Sequence, residues 1–238
     1  MLLREIEIDE RYAFTDKGTS DGTQIKYFKD NMWYKLDRYG GEGEAEELAS
    51  TILRLSNYPA KKYVTYEQVV INGRRGCVSK NFLHRNEQFI TLYRLHMNVT
   101  GRDPAAVTRM MDYDDAIEYV LDFVLKQTNV DLHEYLADIF TLDALILNDD
   151  RHFNNLGLLY DGESFKPAPI FDNGKSLMIG VSGRPIAKAF SGSFSLNRSY
   201  LRKYSSLHLN RRAITSYLDA NVQNISERAI SVLKENLL

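Results

Sequence analysis

The chain has 238 residues, of which 44% are hydrophobic and 11% aromatic, so it is long enough to bury a sizeable core. A net charge of -2 gives no overall reason to expect a nucleic-acid partner, and the single cysteine, Cys77, excludes an internal disulfide. The start of the chain is highly charged and no window approaches about eighteen apolar residues. We therefore expect neither a signal peptide nor a membrane span, and a cytoplasmic location.

The first eighty residues are predicted to form strands around one helix. The alternating segments QIKYFK and MWYKLD flank Asp30-Asn31, a pair that tolerates positive φ and suits a two-residue hairpin turn. YEQVVING and RRGCVSK predict a second hairpin that turns at Asn72-Gly73. Between the hairpins, residues 40–57 carry apolar side chains at helical spacing and several glutamates in the first turns, which predicts a helix.

The rest of the chain is predicted to be mostly helical. Asp131 is the expected N-cap of the longest of these helices, and LGLLYDG and FKPAPIFD predict a short hairpin. The simplest architecture is an α+β fold with a small β-rich lobe at 1–80 and a larger helical lobe at 81–238. The predicted helices cover residues 86–97, 104–111, 114–126, 131–147, 197–205, 210–220 and 226–237.

Two polar segments, LNDDRHFNN and PIFDNGKSL, follow the longest predicted helix. Asp150 and Asn155 are five positions apart, and Asp172 comes directly before Asn-Gly. Phosphoryl transfer needs a carboxylate that orients the attacking hydroxyl and ligands for the metal ions that neutralise the phosphates. Protein kinases place their catalytic Asp and metal-binding Asn at this spacing, and magnesium prefers oxygen ligands. The pattern is therefore typical of a phosphotransferase.

DRHFNN followed by IFDNG resembles the catalytic and metal-binding segments of the HipA-like Ser/Thr kinases. The phosphoinositide kinases, which are wider relatives, carry a similar Asp-Arg-His-x-x-Asn. The resemblance implies that Asp150 is the catalytic base, that Asn155 and Asp172 bind Mg²⁺, and that His152 organises the loop. Asp149 competes for the role of base, but only Asp150 has the family distance to Asn155.

The resemblance extends upstream, over residues 16–176. KGTSDGTQIKYFKDNMWYKLD is similar to the glycine-containing loop and lysine strand of HipA-like kinases, which implies that Lys35 holds the phosphates of ATP. A glutamate of the following helix should hold this lysine, and Glu46 or Glu47 fits best. The plain alternative is that most of the glutamates here, Glu44 included, only form a solvated helix start.

The turn from Gly18 to Gly22 is the expected phosphate-binding loop. Backbone N–H groups of such a turn, which includes Thr19 and Ser20, can cradle phosphate oxygens. The family resemblance also implies that a serine in this loop can be autophosphorylated, and Ser20 aligns best. A phosphate there would repel the nucleotide or displace the loop.

The resemblance implies a protein-kinase-like bilobal fold and an ATP- and Mg²⁺-dependent Ser/Thr protein kinase. The implied setting is that of a toxin in a toxin–antitoxin system, acting on a protein substrate. The chain is shorter than a HipA toxin, so a small antitoxin or a partner that resembles the N-terminal domain is expected. A pseudokinase that only binds partners and a lipid or small-molecule kinase are the alternatives. Residues 173–218 contain no acid; we interpret their basic side chains as helix surface and expect no direct nucleic-acid binding.

Overall fold

The computed structural model describes residues 3–14, 24–180 and 199–237. In its N-terminal part the elements are β1 Arg4–Ile6, β2 Lys26–Lys29, β3 Met32–Leu36, α1 Glu42–Leu55, β4 Tyr66–Ile71 and β5 Arg74–Lys80. The strands form one sheet in the order β1-β4-β5-β3-β2. In this sheet β1 runs parallel to β4, and the other pairs are antiparallel.

Both hairpin turns predicted in this part are confirmed. The turn between β2 and β3 has φ values of 52° at Asp30 and 61° at Asn31. The turn between β4 and β5 has 49° at Asn72 and 73° at Gly73. Asn, Asp and Gly adopt this left-handed conformation more readily than other residues, so local side-chain chemistry determines both turns.

A three-stranded sheet and seven helices make up the described C-terminal part. The sheet has the order β6-β7-β8, so the predicted short hairpin is confirmed and is joined by a third strand. None of the helices in the described ranges is long and apolar enough to cross a membrane. The elements are β6 Gln88–Thr91, α2 Leu92–Thr100, α3 Pro104–Thr108, α4 Tyr113–Thr128, α5 His133–Ile146, β7 Gly157–Tyr160, β8 Phe165–Pro167, α6 Ser199–Arg202, α7 Arg211–Ala220 and α8 Glu227–Leu237.

Two of the predicted helices start later than expected. Residues 88–91 form β6, because they pair with β7, and the side chain of Thr91 then caps α2 by accepting from the N–H of Arg94. Asp131 is not the N-cap of α5; that position belongs to Leu132. The Asp131 carboxylate still accepts a hydrogen bond from the N–H of His133, at 2.8 Å, so the acid stabilises the helix start from one position further away.

Helix α1 shares a hydrophobic core with the helices of the C-terminal part. A smaller core lies on the opposite face of the five-stranded sheet and contains Tyr27, Leu36 and Val78. The shared core, not the smaller one, fixes α1 against the helical part of the molecule. Members of the shared core include Ala45, Leu48, Ala49, Ile52 and Leu53 of α1, Leu136 and Phe140 of α5, Leu218 of α7 and Leu233 of α8.

A polar contact also joins α1 to α8. The N–H and the hydroxyl of Ser226, which precedes α8, donate to the two carboxylate oxygens of Glu44 at 2.7 and 2.6 Å. The Ser226 hydroxyl in turn accepts from the N–H of Ala229 and caps α8. The orientation of α1 is thereby tied to the last helix of the chain.

Candidate active site

Lys35 projects from the face of the five-stranded sheet that is opposite the small core; we call this the site face. Its neighbour Leu36 lies in the small core, and Lys35 pairs with Cys77 of β5. The Lys35 Nζ lies 2.9 Å from Glu46 Oε1 and 3.1 Å from Asp172 Oδ1. Burial alone would lower the pKa of this lysine, but the two carboxylates outweigh it and raise the pKa well above its usual value. Lys35 is therefore a permanently charged, buried ammonium.

Glu46 is the glutamate that contacts the lysine. Besides Lys35, its carboxylate accepts a hydrogen bond from the N–H of Asn173 at 2.8 Å, so it links the sheet to the segment that carries Asp172. Glu47 instead accepts from Gln68 on β4. The alternative of a solvated helix start is wrong for Glu44 and Glu46, which are 9% and 1% exposed, because this end of α1 lies between the sheet and the helical part.

A fully buried arginine, to which sequence reasoning gave no role, holds the two polar segments together. The guanidinium of Arg151 donates two hydrogen bonds to Asp143, at 3.0 and 2.9 Å. It also donates to the carbonyl oxygens of Asn155 and Phe171 and to the side chain of Asn173. The signal in the sequence was Asp143 itself, an acid within the apolar face of α5, because a carboxylate buried there requires a cation.

The loop 148–155 positions the proposed base. Burial is the main cause that raises the pKa of Asp150, and the nearby charges of Asp172 and Asp149 act in the same direction. His152 accepts a hydrogen bond from the N–H of Asn154 through Nδ1, and its Nε2 lies 3.7 Å from Asp150 Oδ1. His152 therefore caps the short 3-10 helix Phe153–Asn155 next to the proposed base.

Asp149, the competing candidate for the base, is held differently. Its N–H donates to the carbonyl of Lys175 at 3.0 Å, and its Oδ1 is buried without a hydrogen-bond partner among the described residues. Burial raises the pKa of Asp149, and the charge of Lys175 opposes this rise. Asp149 and Asp150 are adjacent in the loop and both have raised pKa values, so a variant of each is needed to separate their roles.

Asp172 and Asn155 offer oxygen atoms suited to a divalent cation. Burial would raise the pKa of Asp172, but Lys35 and, more weakly, Lys26 hold it well below its usual range, so the group is ionised. The side-chain N–H of Asn155 donates to the Asp150 carbonyl at 2.8 Å, which leaves its Oδ1 without a donor among the described residues.

The donor set fits magnesium. No cluster of three or more His, Cys, Asp or Glu able to hold a metal occurs within the described ranges. Magnesium does not need such a cluster, because it typically takes one or two protein oxygens and completes its shell with phosphates and water. Of the remaining predicted site residues, Gly18, Thr19, Ser20 and Gly22 lie outside the described residues.

Comparison with solved structures identifies the fold. The proinflammatory kinase CtkA of Helicobacter pylori superposes with a TM-score of 0.65 over 91% of this chain and 89% of that chain, at 17% identity. The chain has a protein-kinase-like bilobal fold. The five-stranded sheet belongs to the small lobe, and the three-stranded sheet and helices α2 to α8 belong to the large lobe.

Two further matches are more distant. HipA of Shewanella oneidensis, solved with HipB and operator DNA, gives a TM-score of 0.47 at 11% identity over 95% of this chain and 52% of that chain. The kinase domain of Mycobacterium tuberculosis PknI gives 0.32 at 12% identity over 93% of both chains. No protein-family model matches the sequence, and no curated protein does.

Proposed function

We propose that the chain is an ATP- and Mg²⁺-dependent kinase that transfers the γ-phosphate to a Ser or Thr hydroxyl of a protein. The observation that carries the proposal is the ion pair between Lys35 and Asp172, at 3.1 Å, which joins the small lobe to the segment after β8. Phosphoryl transfer depends on placing charges around the phosphates, and this pair lies beside the loop of Asp150 and Asn155. The kinase-like fold supports the proposal.

Each polar side chain then has a defined task. Lys35 binds phosphate oxygens through its ammonium, and Glu46 keeps that ammonium in place. Asn155 and Asp172 supply the protein oxygens that hold Mg²⁺, which when bound neutralises negative charge on the phosphates. Arg151 is the positioning residue, since it contacts the backbone of Asn155 and both residues that flank Asp172.

Asp150 is the proposed general base. The acceptor hydroxyl gives its proton to the Asp150 carboxylate while its oxygen forms a bond to the γ-phosphorus. The bond from that phosphorus to the β-phosphate oxygen breaks, and ADP leaves. Partial burial raises the pKa of Asp150, and a stronger base accepts the proton more readily near neutral pH.

For the biological setting we propose a HipA-like toxin of a toxin–antitoxin system that acts in the cytoplasm. The support is the motif resemblance of DRHFNN and IFDNG, which together carry the base and the metal ligands. The proposal includes a small antitoxin or a partner similar to an N-terminal domain. It also includes autophosphorylation at Ser20 as a means to weaken nucleotide binding.

A transfer assay tests the enzymatic proposal. The protein is incubated with γ-labelled ATP and Mg²⁺, alone and with a cell lysate, beside the variants Asp150→Asn and Asp149→Asn. We expect Asp150→Asn to lower transfer by about 100-fold or more while it still binds ATP, and Asp149→Asn to keep most of the activity. ATP binding without transfer to any protein would identify a pseudokinase, and equal loss in both variants would remove the assignment of the base.

A further inference from the structure

Lys26 is a second lysine on the site face, and the roles described above do not use it. In the antiparallel pair of β2 and β3, Lys26 lies directly opposite Lys35. Residues directly opposite each other project from the same face, with Cβ atoms about 5 Å apart. Two ammonium-bearing side chains therefore leave the sheet side by side.

The neighbours of Lys26 on β2 confirm this direction. Tyr27, the next residue, is 3% exposed and lies in the small core on the opposite face. Lys29 shares that opposite side, where its Nζ lies 5.3 Å from the centre of the Tyr12 ring. The strand thus carries one lysine on the site face and one facing away from it, which provides a matched control.

The two lysines of the site face differ in their partners. Lys35 is held by the carboxylates of Glu46 and Asp172. Lys26 is half-buried, and no ion pair links it to any residue within the described ranges. The positive charge of Lys26 nevertheless lowers the pKa of the Asp172 carboxyl, in addition to the larger effect of Lys35. A half-buried cation without a carboxylate partner favours an anionic ligand.

We propose that Lys26 binds the terminal phosphates of the nucleotide beside Lys35, and that it makes the affinity depend on the number of phosphates. This inference rests on the proposed function, because it assumes that a nucleoside phosphate occupies the site face. The ammonium of Lys35 already contacts two carboxylates. It cannot by itself neutralise the negative charge of a triphosphate. Lys26 lies directly opposite Lys35, whose ammonium contacts Asp172, so its charge is on the side of the site where the proposed metal ligand Asp172 lies.

Equilibrium binding of AMP, ADP and ATP in the presence of Mg²⁺ tests the proposal. For Lys26→Met we expect the affinity for ATP to fall about 10- to 100-fold, with a smaller fall for ADP and none for AMP. Lys26→Arg keeps the charge and should retain most of the ATP affinity. Lys29→Met, the matched control on the other face of the same strand, should bind all three nucleotides like wild type.

Two results would overturn the role of Lys26: wild-type affinity of Lys26→Met for ATP, or an equal loss for all three nucleotides, which indicates a structural effect. Thermal unfolding of each variant verifies that it is folded, and Lys26→Gln replaces Lys26→Met if the latter is not. If wild type binds ATP in an Asp172-dependent manner while Lys26→Met is unaffected, only this inference fails. If wild type binds no ATP at all, the proposed function fails with it.

Discussion

The Nζ of Lys35 and the Oδ1 of Asp172 lie 3.1 Å apart although 137 positions separate the two residues in the sequence. Lys35 belongs to the central part of the small sheet, and Asp172 follows the last strand of the large lobe. Glu46 bridges the same two parts of the molecule: one oxygen of its carboxylate accepts a hydrogen bond from Lys35, and the other accepts one from the N–H of Asn173. The candidate site is therefore one connected polar network that spans both lobes.

Replacing Lys35 by methionine should strongly destabilise the fold. The change leaves the carboxylates of Glu46 and Asp172 close together without a cation, and removal of one partner from a buried pair costs about 3–5 kcal/mol. The free energy of unfolding is measured by urea titration, with Lys29→Met, which removes a lysine that has no carboxylate partner among the described residues, as the control. The double variant Lys35→Met/Glu46→Gln should lose less than the sum of the two single changes. A stability equal to wild type for Lys35→Met would show that the pair is not formed in solution.

Replacing Arg151 by methionine should affect both stability and ligand binding. The unpaired Asp143 carboxylate, buried in α5, should lower the free energy of unfolding by about 3–5 kcal/mol. Adding Asp143→Leu removes that buried charge and should restore much of the stability. It should not restore binding of ATP with Mg²⁺, because the contacts to the carbonyl groups of Asn155 and Phe171 remain absent. Full recovery of both properties would show that Arg151 only neutralises Asp143.

The contact between Glu44 and Ser226 should contribute to stability without contributing to ligand binding. Ser226→Ala removes a helix cap and a hydrogen bond to a buried carboxylate, at a cost of about 1–2 kcal/mol. A double-mutant cycle with Glu44→Ala measures the coupling by urea unfolding. Ser164→Ala, in an exposed turn, is the matched control. Independent, additive effects of the two changes would contradict a direct contact between α1 and α8.

Cys77 offers a probe of how the small lobe opens. The thiol is 2% exposed, and burial raises its pKa well above the usual value, so the reactive thiolate is scarce in the folded state. We expect a thiol reagent at pH 8 to label it slowly in buffer, faster as urea increases, and more slowly again when ATP and Mg²⁺ are bound. Immediate, complete labelling of the folded protein would contradict the burial of β5 against the site.

The parts of the fold that depend on local chemistry were predictable from the sequence. The turns at Asp30-Asn31 and Asn72-Gly73 need only residues that accept positive φ. The spacing of Asp150 and Asn155 could likewise be recognised without coordinates. These features depend on neighbours within a few positions along the chain.

Features that depend on distant partners were not predictable. Residues 88–91 form a strand only because β7 lies beside them, and their apolar pattern alone also suits a helix. The choice between Glu46 and Glu47 depends on how α1 is rotated, and the shared core with α5, α7 and α8 determines that rotation. Asp143 stands out in the sequence as an acid in the apolar face of α5, but only the packed structure shows that Arg151 is the cation that it contacts.

Titration of ATP into the wild-type protein and into Asp172→Asn, each with and without Mg²⁺, tests whether the candidate site binds ATP together with Mg²⁺. We expect Mg²⁺ to raise the ATP affinity of wild type by about tenfold or more, and Asp172→Asn to lose this increase while the protein stays folded. An ATP affinity that is independent of Mg²⁺, or an increase that persists in Asp172→Asn, would contradict the assignment of Asp172 as a ligand of Mg²⁺ bound with ATP.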